Sequence, residues 1–219
     1  MNKKIIYVGD PVCSWCYAFT DTLEKIKADF ENSVEFSYIM GGLIIDRNLV
    51  LDEKVKRLLR KNWKEVETKT GKKIKALDML ENSKEFPYIS DPGCTGFQIA
   101  KLKSEELAYS FYIKIHQSFY ENLKDISDVN NLCSIAEDIG IDKEFFMDKF
   151  YDEKVKNLAL KDMEKAKELG VKAFPALVAV DESGSKVLNQ GFRKYSLLKV
   201  QIEAWLKGDV AAGDLMPVL

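Results

Sequence analysis

The chain lacks any apolar run long enough to cross a bilayer, which would need about 18 residues. It also lacks internal repeats and low-complexity tracts, which excludes solenoids and tail-like segments. Charge of one sign is missing. Lys and Arg number 33 against 35 Asp and Glu, a net of −2. Nothing matches the basic footprint of a nucleic-acid binder, and the lysines are scattered among acids, so no polybasic membrane patch is expected. Cysteine is sparse, at four in 219 residues, far too few for a disulfide-stapled scaffold. Histidine is nearly absent, with His116 alone. A secretory leader is not expected either. After Lys3-Lys4 the apolar run Ile5-Ile6-Tyr7-Val8 stops at Gly9-Asp10, whereas a leader core takes about 7–15 residues. The expectation is a cytoplasmic protein, unless the start Met was added to a mature chain.

What remains is ordinary for a globular protein, with 46% apolar and 31% charged residues. The length allows one large domain or two small ones. Ile5–Val8 reads as a buried strand, broken by Gly9-Asp10-Pro11. From Cys13 to about Glu31, Leu23, Ile26 and Phe30 recur at helical spacing. Val34–Ile39 alternates like a half-buried strand. From Leu43 the pattern turns helical. Val55, Leu58, Leu59, Trp63 and Val66 mark one helix, Asp91 caps another with Pro92 in its first turn, and Ser104 caps a third. Ser127 is expected to cap the next, which ends at Gly140. Asp142 starts a short helix, and one more runs from Asp152 to Glu168 before Gly170. Ala176–Val180 then reads as a strand, 181–185 as a hairpin turn, 186–190 as the return strand and 195–207 as a last helix. The expected class is α/β. Residues 1–42 and 170–219 form one discontinuous domain, and 43–169 an inserted all-helical one.

Cys13-Ser14-Trp15-Cys16 stands after a strand and at a helix start. A free thiol has a pKa of about 8.5, and helix-terminal amides favour the thiolate. Cys13 is therefore expected to be the reactive sulfur. Cys16, one turn later on the same face, can attack a mixed disulfide at Cys13 or close a disulfide with it. A Cys-x-x-Cys can also be half of a zinc site, but Cys94, Cys133 and His116 form no second knuckle, and no metal is expected. The second signal is Gly170-Val171-Lys172-Ala173-Phe174-Pro175, directly before a strand, where a proline can stand in either isomer.

Asp10-Pro11-Val12-Cys13-Ser14-Trp15-Cys16-Tyr17, together with Phe174-Pro175 and the helical insertion, resembles the DsbA family of the thioredoxin superfamily. Gly41-Gly42-Leu43, Ser90-Asp91-Pro92 and His116-Gln117-Ser118-Phe119-Tyr120 are most similar to its FrnE-like branch. The resemblance covers essentially the whole chain. It implies a thioredoxin-like fold with an inserted helical domain and a protein disulfide oxidoreductase or isomerase. Cys13 would be the nucleophile and Cys16 the resolving thiol. Ser14, Trp15 and the Ala173-Phe174-Pro175 loop would meet the substrate, the loop pairing with its backbone. A proline there also discourages metal at the sulfurs. The resemblance implies no cofactor beyond the dithiol, with glutathione as a candidate co-substrate. Its implied partners are protein or peptide thiols and disulfides, plus a reducing or oxidising partner protein or glutathione. Nucleic acid and membrane are not expected. Some FrnE-like relatives carry a further cysteine pair near their C-terminus, and none stands before Leu219.

Two other readings keep this architecture. Kappa-class glutathione transferases and 2-hydroxychromene-2-carboxylate isomerases resemble it, but usually place Ser at the position of Cys13 and lack the second Cys. A chaperone-like or adaptor protein would use the insertion as a binding surface without turnover. Cys94, Cys133, His116, Trp63, Phe111, Tyr112, Phe119 and Tyr120 are expected to be packing residues, although some of the aromatics belong to the insertion that caps the site in relatives. Gly41-Gly42 reads as a turn. Asp10 is either a modifier of Cys13 or an exposed turn residue.

Periplasmic oxidases of the family carry a His between their cysteines, where this chain has Ser14-Trp15. The expected potential is therefore less oxidising than about −120 mV and shifted toward about −270 mV. Equilibration with glutathione buffers measures it, and a value above −120 mV contradicts the expectation.

Overall fold

The computed structural model describes residues 3–46, 51–82 and 88–208. Met1-Asn2 and the chain end at Leu219 lie outside the described residues. One sheet joins both ends of the sequence. Strand β1 (Lys4–Gly9) lies parallel to β2 (Glu35–Met40) and antiparallel to β3 (Ala176–Asp181), which pairs antiparallel with β4 (Gly184–Gln190), giving the order β2-β1-β3-β4. The central strands are covered on both faces, which is why Ile5–Val8 and Ala176–Val180 read as continuous apolar runs. Ile5 and Tyr7 enter the main core on one face, while Val8 joins Val178, Ala166 and Leu169 on the other.

Helix α1 (Ser14–Phe30) follows β1 and buries Leu23, Ile26 and Phe30, as their spacing requires. Between β2 and β3 come α2 (Glu53–Thr70), α3 (Ala76–Asn82), α4 (Asp91–Lys101), α5 (Glu105–Tyr120), α6 (Val129–Asp138), α7 (Lys143–Phe150) and α8 (Glu153–Glu168); α9 (Tyr195–Lys207) is the last element among the described residues. Two helix starts are capped as expected: Ser104 accepts from Leu107 N–H and Asp142 from Phe145 N–H.

Three expectations are corrected. The cap of α6 is Asp128, which accepts from Asn130 N–H. Ser127 instead turns back, and its N–H and hydroxyl both donate to Asp125. The cap position of α4 is Ser90, with Asp91 the first helical residue, and the Ser90 hydroxyl makes no capping bond because it is engaged elsewhere. Leu58 is not on the buried face of α2; it is 66% exposed, and Trp63 and Val66 anchor that helix. The short α3 has too few turns to leave a periodic signal, and the sequence reading passed over it.

A single apolar cluster runs from β1 and α1 into α2, α4, α5 and α8. The end of β1 packs tightly against it. Tyr7 and Tyr112 are fully buried and their hydroxyls share a 2.7 Å hydrogen bond. Gly9 leaves the room for this pair, since a Cβ there would stand 2.5 Å from the Tyr112 hydroxyl and 2.7 Å from the Tyr7 ring. Gly9→Ala is expected to cost about 1–3 kcal/mol through overpacking, measured by urea unfolding. An unchanged midpoint with an unchanged m-value would mean that the strand end yields freely.

Candidate active site

The strand–turn–helix connection sets both thiols. Cys13 is the N-cap of α1 in extended conformation, and its Sγ accepts the Cys16 N–H at 3.3 Å. The sulfur thus occupies the place of a capping oxygen. Both cysteines are free thiols. Cys13 is 5% exposed and opens onto a cavity, whereas Cys16 is fully buried behind it. Burial first, then the neighbouring Cys13, pushes the Cys16 thiol well above its ordinary pKa.

The turn before Cys13 is held by buried side chains from distant segments. Asp10 is fully buried. Its carboxylate accepts Val12 N–H at 2.9 Å, Leu43 N–H at 2.6 Å and the Ser90 hydroxyl at 3.0 Å. Burial pushes this carboxyl up, and the donors from Leu43, Val12 and Ser90 pull against that rise. Of the two earlier readings of Asp10, the exposed turn residue is excluded. The Val12 carbonyl takes two phenol donors, Tyr88 at 2.7 Å and Tyr120 at 2.5 Å. The Asp10 carbonyl also takes two, Cys13 N–H at 3.2 Å and His116 Nε2 at 2.9 Å. A carbonyl only accepts, so Nε2 carries the imidazole proton. Burial pushes the His116 pKa down to about 3, so the ring is neutral. Its Nδ1 has no hydrogen-bond partner among the described residues.

The cavity, of about 300 Å³, is lined by Cys13, Ser14, Trp15, Leu43, Asn62, Tyr88, Lys172, Ala173 and Phe174. The structure therefore brings the motif and the loop before β3 to one place. Pro175 is buried behind that wall, and the Phe174-Pro175 bond is cis. Gln190 shapes the loop by accepting Lys172 N–H at 2.5 Å and Ala173 N–H at 3.1 Å, while Gly191 N–H donates to the Pro175 carbonyl at 2.8 Å. The Phe174 ring fills the space over Gly41, where a Cβ would meet it at 1.9 Å. Gly41-Gly42-Leu43 is thus more than a turn. It seats Phe174 and hands its Leu43 N–H to Asp10.

Sequence reading missed Asn62. Its Oδ1 accepts the Trp15 indole N–H at 2.9 Å and its amide donates to Ser14 Oγ at 3.2 Å, so α2 clasps the two middle residues of the motif. The only trace in the sequence is an uncharged Asn among the lysines of an amphipathic helix. Tyr88 and Lys172 were also missed, and His116 and Tyr120 were read as packing alone. Cys94 is buried, and Cys133 is 2% exposed. Among the described residues no group of three or more His, Cys, Asp or Glu is placed to hold a metal ion.

Comparison with known proteins adds a context. The family model described as Thioredoxin matches residues 6–200. A structure of a candidate protein disulfide isomerase from Nitrosomonas europaea superposes with a TM-score of 0.86 at 24% identity, covering 96% of this chain and 100% of that one. The cytosolic disulfide reductase DsbM from Pseudomonas aeruginosa, solved with GSH, superposes at 0.73 with 17% identity, covering 93% of this chain and 99% of that one. The ClpXP adapter protein SpxH of Bacillus subtilis (strain 168) is 23% identical over 176 residues, which are 80% of this chain and 57% of that protein. The chain thus spans a little over half the length of the curated relatives it matches.

The buried imidazole has a pH signature. An unfolded His titrates near 6.5, and folded His116 near 3. Between these values the unfolded chain binds a proton that the native chain refuses, so acid removes stability across that window by ~1.4 kcal/mol per pH unit. Buried Asp10, with its raised pKa, works in the opposite direction but is common to wild type and variant. The stability of His116→Gln, whose amide can still donate to the Asp10 carbonyl, is expected to approach that of wild type as pH falls from 6.5 toward 3. Urea unfolding at pH 7.5, 5.5 and 4.5 measures the gap. A gap that does not change with pH would mean that His116 titrates normally in the fold.

Proposed function

The chain belongs to the thioredoxin family, with the fold of its DsbA-like members, and on that premise we propose that Cys13 and Cys16 carry out thiol–disulfide exchange on protein or peptide substrates. The observation that carries this reading is the placement of Cys13 at the mouth of the cavity, facing the Ala173-Phe174 wall, with Cys16 buried one turn behind.

In the reducing direction the Cys13 thiolate attacks one sulfur of a substrate disulfide. The substrate S–S bond breaks, the departing sulfur leaves as a thiolate and takes up a proton, and a mixed disulfide remains at Cys13. Cys16 then gives up its proton and attacks the Cys13 sulfur. The second substrate thiol leaves, and the Cys13–Cys16 disulfide holds the oxidised state. Two electrons have passed to the substrate, and a dithiol protein or two glutathione molecules restore the pair. Oxidation of a substrate dithiol is the same path reversed. The burial that raises the Cys16 pKa keeps it protonated until the first step is complete, which reserves the nucleophilic role for Cys13. Ser14 and Trp15, held by Asn62, and the Ala173-Phe174 wall bound the space in which the substrate chain lies. Among the described residues the Phe174 N–H and C=O have no hydrogen-bond partner, and they are offered to a substrate strand. Pro175 fixes that edge from behind.

Reduction or isomerisation is the direction favoured in a glutathione-poised cytosol. The cytosolic reductase DsbM among the similar structures, solved with GSH, supports that reading and supports glutathione as a co-substrate. Membership of the FrnE-like branch rests on the motifs quoted above. No helix among the described residues is long and apolar enough to cross a membrane. The similarity to SpxH, an adapter by its name, favours a second reading in which the same cavity and insertion hold a protein partner without turnover.

Insulin reduction by dithiothreitol separates these readings. Wild type is expected to shorten the lag severalfold and Cys13→Ser to abolish the effect. Cys16→Ser should accumulate a mixed disulfide visible by mass spectrometry. Failure of wild type to accelerate the reaction, with client binding intact, would leave the adapter reading. Glutathione-dependent turnover that survives in Cys16→Ser would favour transferase or isomerase chemistry.

A further inference from the structure

The segment between α8 and β3 is tied at its ends by backbone bonds. Val171 N–H donates to the Ala166 carbonyl at 3.0 Å, and Gly191 N–H to the Pro175 carbonyl at 2.8 Å. Between these ties run Lys172, Ala173, Phe174 and Pro175. Proline has no N–H, so only the first three residues carry an amide proton. Two of those protons go to one side-chain atom: Gln190 Oε1 accepts Lys172 N–H at 2.5 Å and Ala173 N–H at 3.1 Å. A side-chain carbonyl oxygen accepts at two lone pairs, so Oε1 is saturated. Because both partners are donors, the oxygen end of the amide faces the loop. Only the Phe174 amide is left over, without a partner among the described residues. Gln190 is the last residue of β4, in register with Ala176 at the start of β3, and the chain turns away at Gly191, whose φ is 78°. Solvation alone does not call for this clasp. Lys172 and Ala173 are exposed, and water would serve their amides as well. An acceptor rooted in a strand fixes the direction of those amides, which water does not.

We infer that Gln190 is a positioning residue for the substrate chain: it holds both amides ahead of Phe174, and so presents one residue as the edge that a substrate strand meets beside Cys13. This rests on exchange at Cys13 and on pairing at Phe174, and adds the side chain that sets the register. In an antiparallel pair, one residue on each strand exchanges both hydrogen bonds, and the next such pair lies two residues on. On this edge that next residue is Lys172, whose N–H is already taken by Gln190. The ladder therefore stops after one residue. A substrate needs one free backbone N–H and C=O beside its reacting Cys, and gains no further ladder bond from the Lys172 amide.

The first step alone tests this, with reduced protein and a peptide whose Cys carries a thionitrobenzoate. The Cys13 thiolate attacks the peptide sulfur, the peptide–Cys13 disulfide forms, and thionitrobenzoate leaves as a coloured thiolate that times the step. Dithiobis(nitrobenzoate), which has no peptide backbone, reports on the sulfur by itself. Q190L keeps the bulk and loses the acceptor. It is expected to slow the peptide reaction about tenfold while the backbone-free reagent stays within about twofold of wild type. Q190E, whose carboxylate accepts the same two amides, should restore the peptide rate. Peptides N-methylated one residue at a time supply a second arm, which stands on wild type even where Q190L does not fold. A single position beside the Cys is expected to carry the loss in wild type, and its penalty should shrink in Q190L. An unchanged peptide rate in Q190L, equal slowing with both reagents, no rescue by Q190E, or an N-methyl penalty spread over several positions would overturn the inference. The insulin assay reports separately on the redox reading, since a chain that passes these tests yet fails to reduce insulin keeps its substrate edge and loses its enzymatic role.

Discussion

A carboxylate shut away from water must find its hydrogen bonds inside the fold, and Asp10 finds them in three separate segments. Its oxygens draw in Val12 N–H from its own turn, Leu43 N–H from the loop after β2 and the Ser90 hydroxyl ahead of α4. Burying such a group unpaired is costly, so the three segments must converge together. Where they converge, the rest of the site is defined. The turn aims Cys13, the Leu43 loop carries the glycine that seats Phe174, and Ser90 starts the helix packed beneath. The carboxylate therefore acts as a registration point for loops that no regular secondary structure connects.

The same economy of partners explains the asymmetry of the thiols. A helix start has four amide protons without intrahelical acceptors, and here Cys13 serves one of them in place of Ser or Asp. A sulfur engaged this way stays at the end of the helix and faces outward. Cys16 points back into the sheet side, where burial holds on to its proton. One turn of helix thus separates an accessible sulfur from a protected one, and the order of events in thiol exchange follows from that geometry.

The periodic features of the fold were legible in the sequence because burial imposes them. The sided pattern of Leu23, Ile26 and Phe30 and the apolar runs of β1 and β3 each record which face meets the core. The motif Cys13-Ser14-Trp15-Cys16 was legible because it sits at a strand–helix junction, and the loop at Phe174-Pro175 because the proline stands directly before an apolar strand. The support of the site was not legible. Asn62, Tyr88, Tyr120 and His116 act through hydrogen bonds to groups 47 to 108 positions away, and such pairings leave no local periodicity. Capping failed at Ser127 and Asp91 for a related reason: several short polar residues stand together there, and which one caps is decided by what else each side chain must reach.

Those long-range bonds also say why a helical block intervenes between the two halves of the sheet. The Asp10 and Val12 carbonyls of the turn before Cys13 carry two donors each, and three of the four donors come from residues 88, 116 and 120. A carbonyl oxygen accepts at two lone pairs, so these two groups are saturated. The α1 end of the motif is held by the sheet through β1, and its middle by Asn62 of α2. The helical block is therefore more than a cover. It supplies the side-chain donors that hold the Asp10 and Val12 carbonyls beside the reactive sulfur, while the sheet supplies the strand end from which that backbone departs.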